Sequence, residues 1–407
     1  MDHKVATLGL STKLEQLQRE LILLESSYLA TSKQELVGEF GQLYQLRQLS
    51  NEKIIHELQR LQAAIKNNIW HNEVGSTLTS SSQRRSWSNL RFTRYNGVSM
   101  LHKDALRPKS TSKKPTNRQT AYNWKLIKVI GICIHLLQTK AIITKRDLYY
   151  TDSDFFGSQN VVDRILNDIA CTLQIPRNSL HCVASPKGLM AGDFRFIMKS
   201  GHFLCGSFEN KIQSIPLVAD IAGIESTAKF VLIVEKEAIF QRLLDGNIKD
   251  KLNSCIVITG KGYPDMSTRL MIRFLWDTLK LPTFVLTDAD PYGLEIFCVY
   301  KYGSKEMSFE AENLCFPLIK WLGVLPSEFN KLGIPKKLFI SMRENERSRL
   351  KSIIKRPYIT ENEALATEAR ILLDYNQKIE IEALYNYSFD YLLENYIPYK
   401  LRSGLWI

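Results

Sequence analysis

Thr283-Phe284-Val285-Leu286-Thr287-Asp288-Ala289-Asp290-Pro291-Tyr292-Gly293 is the stretch on which the fold turns. Its apolar run, Thr283 to Leu286, is too short for a helix and is followed at once by acids and an Asp-Pro turn signal, which marks a strand giving way to a loop. Two earlier runs have the same form, Phe230 to Val234 and Cys255 to Ile258. Helical stretches at 237–245, 265–279 and 292–302 alternate with the three runs, so the order is βαβαβα. That order predicts a parallel sheet covered by helices, a Rossmann-like α/β unit whose strands are buried on both faces. Beyond Gly333 the pattern is mostly helical, with Ala364 to Asn376 and Ile379 to Tyr396 the clearest segments. The whole of 226–407 is therefore expected to be this unit with a helical C-terminal elaboration.

Upstream, over 121–225, the rhythm changes. Leu126, Ile127, Ile130, Ile134 and Leu137 mark an almost wholly buried helix after Trp124. Thr144-Lys145-Arg146-Asp147 has the form of a capping box, in which each end residue accepts the other's backbone N–H, so a new helix starts there. Phe155-Phe156-Gly157 is expected to close it, and Ser158 to cap a third helix bearing Val161, Ile165, Ile169 and Leu173. β-like pieces follow around Leu180 to Ala184 and Gly201 to Cys205, with Ser185-Pro186-Lys187-Gly188 as turn chemistry. Three short helices and a hairpin read as a winged-helix domain, a DNA-docking module.

Residues 75–120 are rich in Ser, Thr, Lys and Arg, with Asp104 their only acid between Arg84 and Arg118. Such a segment buries too little apolar surface to offset its ordering entropy, so a basic linker is expected, or an arm on DNA phosphates. Residues 1–74 form a helical N-terminal extension. Leu14, Leu17, Leu21, Leu24 and Tyr28 make one stripe, and Ile54, Leu58, Leu61 and Ile65 a second. Either the two helices fold on one another or they offer a surface to a partner helix.

With 407 residues the chain suits two or three domains. No run approaches the ~18–20 apolar residues of a membrane span, and the first residues lack a signal-peptide pattern, so a soluble, intracellular protein with no membrane association is expected. The seven cysteines are scattered and never spaced C-x-x-C, which argues against a disulfide framework or a zinc site. A net charge of +12 suits a polyanionic partner but does not by itself select nucleic acid.

Ligands of open parallel sheets bind at the carboxyl ends of the strands. Glu235 follows Val231-Leu232-Ile233-Val234 directly, and Asp288 and Asp290 follow the third strand. Two aspartates one residue apart point the same way if the chain stays extended, and oxygen-only ligands suit magnesium. Singly, each acid is equally a helix cap or a solvated loop residue; together they form a candidate Mg2+ site. Glu237 is a weaker candidate, since a first-turn acid is explained by the helix dipole. Tyr150 lies four residues after Arg146, so the two share a helical face. A free phenol with a pKa near ~10 is barely ionised at neutral pH, and a nucleophilic role needs a neighbouring cation, which Arg146 supplies. Most helical tyrosines simply pack, and Tyr149, turned to the Lys145 side, is assigned that role. Lys187 in the wing-like turn and Lys261 in the glycine turn are candidate DNA contacts, with plain solvation as the alternative. No G-x-x-x-x-G-K-[ST] loop is present, so ATP handling is not expected.

Four motifs in order add a resemblance. Lys145-Arg146-Asp147-Leu148-Tyr149-Tyr150 with Phe155-Phe156 resembles the tyrosine motif of the topoisomerase VI A-subunit family, most of all its meiotic double-strand-break branch. Val234-Glu235-Lys236-Glu237, Thr259-Gly260-Lys261-Gly262-Tyr263-Pro264-Asp265 and Thr287-Asp288-Ala289-Asp290-Pro291-Tyr292-Gly293 resemble that family's Toprim metal domain. The likeness spans roughly 90–400 and leaves 1–75 unplaced. It implies Tyr150 as nucleophile and Glu235, Asp288 and Asp290 as magnesium ligands. It also implies double-stranded DNA as substrate, a 5′-phosphotyrosyl product, a hybrid site shared with a second copy of the chain, and action in the nucleus. Expected partners are meiotic accessory proteins together with a topoisomerase VI B-like subunit. The rival readings are the A-subunit of a type IIB topoisomerase working with an ATPase, a Toprim nuclease using water, and a DNA-binding scaffold; the intact acids count against the last.

Overall fold

In the computed structural model the described residues are 2–35, 46–71, 90–93, 97–100, 116–206, 212–246, 248–252 and 254–407. Val231–Val234 is the heart of a six-stranded sheet, with Ile256–Thr259 parallel on one side and Thr283–Leu286 parallel on the other. Every residue of these three strands is buried, which is why they read as unbroken apolar runs. Lys320–Gly323 extends the parallel set beyond Thr283–Leu286. Between the strands run the helices Glu237–Asp245, Met266–Leu279 and Pro291–Tyr302. Asp265 and Asp290 cap the last two by accepting from the N–H groups of Thr268 and Gly293.

The sheet is mixed, which corrects the expectation of a purely parallel one. Leu189–Gly192 pairs antiparallel with Ile256–Thr259 and carries Gln213–Ser214 antiparallel at the edge. The turn at Ser185–Gly188 therefore feeds the main sheet. The other pieces of the expected hairpin also separate. Cys182–Val183 pairs in parallel with Ile143–Thr144, while Phe203–Cys205 joins Arg195–Met198 and Ile221–Glu225 in a three-stranded sheet.

The helices ahead of these strands follow the sequence closely. Asn117–Thr139 starts at a Thr116–Gln119 capping box and buries Leu126, Ile130 and Leu137. Lys145–Tyr150 starts at the expected Thr144–Asp147 box. It ends at Tyr150, and Asp152 caps a separate turn, Ser153–Phe156, ahead of the amphipathic helix Gln159–Leu173.

Within the expected basic linker, 75–89, 94–96 and 101–115 lie outside the described residues. The remainder corrects the picture of a solvated segment. Leu90–Thr93 and Gly97–Met100 form an antiparallel pair with Leu90, Val98 and Met100 buried. Phe92 meets Tyr302 edge to face at 5.2 Å, and a Cβ on Gly97 would lie 2.4 Å from the Tyr302 carbonyl oxygen. Few apolar residues suffice here because an existing wall receives them.

The two leucine stripes dock on different elements. Ile54, Leu58, Leu61 and Ile65 of Asn51–Trp70 are buried, and that helix packs on Asn117–Thr139, where Gln62 Nε2 donates to the Ile127 carbonyl at 3.1 Å. Asp2–Glu35 lies against Ile397–Ser403. Its buried Glu25 accepts from Trp276 Nε1 and Lys280 Nζ, each at 2.9 Å, and so pins the N-terminal helix to the sheet unit. Leu14, Leu17 and Leu21 are buried, whereas Leu24 reaches the surface. Of the cysteines all but half-buried Cys205 lie in the interior, and all seven are free. No helix among the described residues is long and apolar enough to cross a membrane.

Candidate active site

Glu235 and Asp288 meet at the carboxyl ends of adjacent strands, where the Asp288 N–H donates to Glu235 Oε2 at 3.0 Å. Asp288 is only 6% exposed and is held on both oxygens. Oδ1 accepts from the Ile381 N–H at 2.9 Å, and Oδ2 lies 3.0 Å from the Lys236 ammonium. Ala289 stays extended, bridged to Ile379, but Asp290 turns its Oδ1 onto the Gly293 N–H at 2.7 Å. Gly293 is required for this approach, since a Cβ there would sit 2.1 Å from the Asp288 carbonyl oxygen.

These carboxylates share one electrostatic neighbourhood. Burial, then the Asp288 and Asp290 charges, push the Glu235 carboxyl up to about 8. Burial also lifts Asp288 to about 6, against the Ile381 N–H and the Lys236 ammonium, which favour its charged form. Asp290 is raised as well, chiefly by burial, with the Gly293 N–H opposing. Among the described residues no three His, Cys, Asp or Glu side chains converge tightly enough to form a ready ion cage. The donor chemistry nonetheless fits a hard divalent cation, being oxygen only, with buried carboxyl groups whose mutual repulsion a cation would relieve. Toprim domains as a class bind divalent metal.

A pH test follows from Glu235. Its folded value of about 8 exceeds the unfolded 4.5, so the proton stabilises the fold. That contribution is complete below the unfolded value and is lost as pH rises through the folded one. In EDTA, wild type and Glu235→Gln should melt alike at acid pH. Above the folded value the variant, always neutral, should be more stable by about 5 kcal/mol. A gap that stays constant across the titration range would reject the raised value.

The two candidate DNA-contact lysines lie at one corner. Lys187 Nζ donates to the Lys261 carbonyl at 3.2 Å, and its backbone N–H donates to Asp265 Oδ2 at 2.7 Å. Lys261 adopts positive φ and pairs with Glu237 at 3.0 Å. Glu237 is therefore a lysine partner in the first helical turn.

Tyr150 is on the surface, 59% exposed. Lys145 binds Asp163 at 3.0 Å and so fastens the tyrosine-bearing helix to Gln159–Leu173, and Arg177 holds the same carboxylate at 2.7 Å. Leu148 is fully buried beneath it and Tyr149 packs on the core. Arg146 places its guanidinium carbon 5.7 Å from the Tyr150 ring centre, so those two do share a face. Among the described residues no hydrogen bond or ion pair joins this helix to Glu235, Asp288 or Asp290. The structure thus sets the three acids in one electrostatic neighbourhood, short of a closed ion cage, with no bond from the tyrosine-bearing helix to them among the described residues.

Sequence reasoning missed two groups. Lys236 binds Asp288, Glu380 and Glu382 at once, and its only signal was a lysine between two acids, Glu235-Lys236-Glu237. Buried Glu295 collects Arg349 at 2.6 Å, Arg356 at 2.5 Å and the Tyr263 hydroxyl at 2.7 Å, tying the glycine turn to the C-terminal helices. No local pattern announces that network.

Known proteins share both halves of this arrangement. Residues 230–401 match the family model for the Toprim domain of Spo11 and the topoisomerase 6 A-subunit, and 124–182 match the model described as Type IIB DNA topoisomerase. The chain is 45% identical over 328 residues to the Homo sapiens meiotic recombination protein SPO11, covering 80% of this chain and 81% of that one. Its Mus musculus counterpart is 41% identical over 364 residues, with 89% and 90% covered. The A-subunit of DNA topoisomerase 6 from Arabidopsis thaliana is 36% identical over 312 residues, with 76% and 73% covered.

Proposed function

The chain belongs to the Spo11/topoisomerase 6 A-subunit family of DNA-cleaving transesterases, and from that membership we propose that it forms meiotic DNA double-strand breaks with Tyr150 as nucleophile. The Tyr150 phenolic oxygen forms a bond to a backbone phosphorus as the bond from phosphorus to the 3′ oxygen breaks. The 5′ end remains on the tyrosine, and the departing 3′ oxygen takes up a proton to become a hydroxyl. One phosphodiester replaces another, so no external energy source drives the cut. Arg146 holds a cation beside the ring of the nucleophile. Glu235, Asp288 and Asp290 would hold Mg2+, which when bound supplies neutralisation of charge developing at the phosphate.

The observation that carries this reading is the match to the family models over 124–182 and 230–401, with Tyr150 exposed on its own helix. The family binds DNA and works as a dimer with partner proteins. In such a dimer the tyrosine of one protomer reaches the acids of the other, and two hybrid sites cut both strands. The helices of the expected winged-helix stretch 121–225 present Tyr150, while its strands Leu189–Gly192 and Gln213–Ser214 join the sheet of the metal-holding 226–407 unit. Lys187 and Lys261 touch DNA phosphates between them. Residues 1–74 and the basic 75–120 stretch lie outside this chemistry, and a B-like subunit with further meiotic proteins recruits the chain in the nucleus. The second reading, the A-subunit of a topoisomerase working with an ATPase, rests on the Arabidopsis thaliana similarity and uses the same site, but the higher identity to the meiotic proteins favours the first.

Denaturing recovery of DNA ends from meiotic cells should yield this chain covalently attached, with peptide mapping placing the adduct on Tyr150. Ends free of protein in that recovery would favour a water-using nuclease, and an adduct on another residue would displace Tyr150.

A further inference from the structure

Lys236 stands between the candidate metal ligands and a second pair of acids. Its Nζ lies 3.0 Å from Asp288 Oδ2, 2.7 Å from Glu382 Oε2 and 3.3 Å from Glu380 Oε2. Glu380 and Glu382 flank Ile381, whose N–H holds the other Asp288 oxygen. One segment thus supplies both a fixed backbone donor for Oδ1 and two carboxylates beside the ammonium on Oδ2. The two oxygens differ in kind. Oδ1 is held by main chain that the Ala289–Ile379 bridge anchors, whereas Oδ2 is held by the tip of a flexible four-carbon stem.

A carboxylate as buried as Asp288 is costly unless a cation or donors accompany it. A divalent ion placed beside the same oxygen would repel the ammonium. The half-exposed Glu380 and Glu382 already touch that ammonium, so it can leave Asp288 without losing ionic partners. We infer that Lys236 is a tethered internal counter-ion that holds Asp288 until a divalent cation enters and then retires onto Glu380 and Glu382. It is a positioning residue, acting through Asp288. The inference rests on the reading of Glu235, Asp288 and Asp290 as metal ligands.

The test is Mn2+ binding by the full chain, followed by electron paramagnetic resonance, with Mn2+ alone as probe. Lys236→Met should bind Mn2+ about tenfold more tightly, because no ammonium competes for the oxygen. The pair Glu380→Gln and Glu382→Gln should bind more weakly, because the ammonium then has only Asp288 to rest on. Lys236→Arg should stay near wild type. Lys378→Met is the control for plain field effects, since Lys378 acts on Asp290 through space while its ammonium sits on Glu346 at 2.6 Å. It should shift binding by less than about twofold. Unchanged or weaker binding by Lys236→Met overturns the inference, and so does an equal gain in Lys378→Met. Should Lys236→Met fail to fold, the double glutamine variant decides: unchanged or tighter binding there overturns the idea as well. Asp288→Asn and Glu235→Gln separate the two levels. If they leave Mn2+ bound, the metal reading falls and takes the lysine with it. If they abolish binding while Lys236→Met matches wild type, only the lysine role is lost.

Discussion

Tyr150→Phe is expected to abolish covalent protein–DNA adducts while leaving duplex binding within about twofold of wild type, since the nucleophilic oxygen is removed and the cationic surface is not. The substitution deletes one oxygen from an exposed side chain, so it opens no cavity. The supports of the helix are untouched: the Thr144–Asp147 box, buried Leu148, and the Lys145 bridge to Asp163. Arg146 keeps an aromatic face to lie against, and the edge contact with Tyr149 at 5.2 Å survives. What disappears is the only atom in the proposal able to form the phosphotyrosyl bond. Loss should therefore exceed about 10³-fold, limited by detection. Tyr149→Phe is the matched control. Its ring packs on the core, and it should retain adducts. Adducts at the wild-type level in the Tyr150 variant would reject the assignment, and their loss in the Tyr149 variant would transfer it.

The parts of the fold legible in the sequence are those that one segment decides by itself. Val231–Val234, Ile256–Thr259 and Thr283–Leu286 are buried on both faces, so each is almost wholly apolar, and acids follow the first and third while a glycine turn ends the second. The Thr144–Asp147 box fixes a helix start by bonds local to four residues. The features that escaped depend on distant partners. Leu189–Gly192 ends in small Ala191 and Gly192 and becomes a strand because Ile256–Thr259 offers it an edge. Leu90, Phe92, Val98 and Met100 are too sparse among basic and hydroxyl residues to signal burial, and Tyr302 completes their wall. The leucine stripes announced that two helices each bury a face, but a stripe does not name what covers it. At the site, the sequence pointed to Glu235, Asp288 and Asp290 through strand ends. Of Lys236 it showed only a lysine between two acids, and its meaning comes from Glu380 and Glu382 far along the chain.

Asp288→Asn should remove divalent-dependent cleavage with the fold intact. The amide oxygen can still accept from the Ile381 N–H, so the backbone anchor survives. The change falls on Oδ2, where a neutral amide replaces the anionic oxygen paired with Lys236. An amide is a poor ligand for a hard dication beside a carboxylate, and the local charge drops by one. The effect also reaches Glu235. Part of its elevation to about 8 comes from the Asp288 charge, so the variant's glutamate should titrate lower and be more fully ionised at neutral pH. Thermal stability should therefore hold or rise, because a buried charge that burial had already lifted to about 6 is gone. Adduct formation at saturating Mg2+ should fall by about 10²- to 10³-fold if the lost oxygen neutralises charge at the scissile phosphate. These two readouts pull apart the alternatives. A drop in cleavage with a collapsed melting temperature would mean that Asp288 is a structural clamp, whereas full cleavage by a well-folded variant would place the metal on other residues.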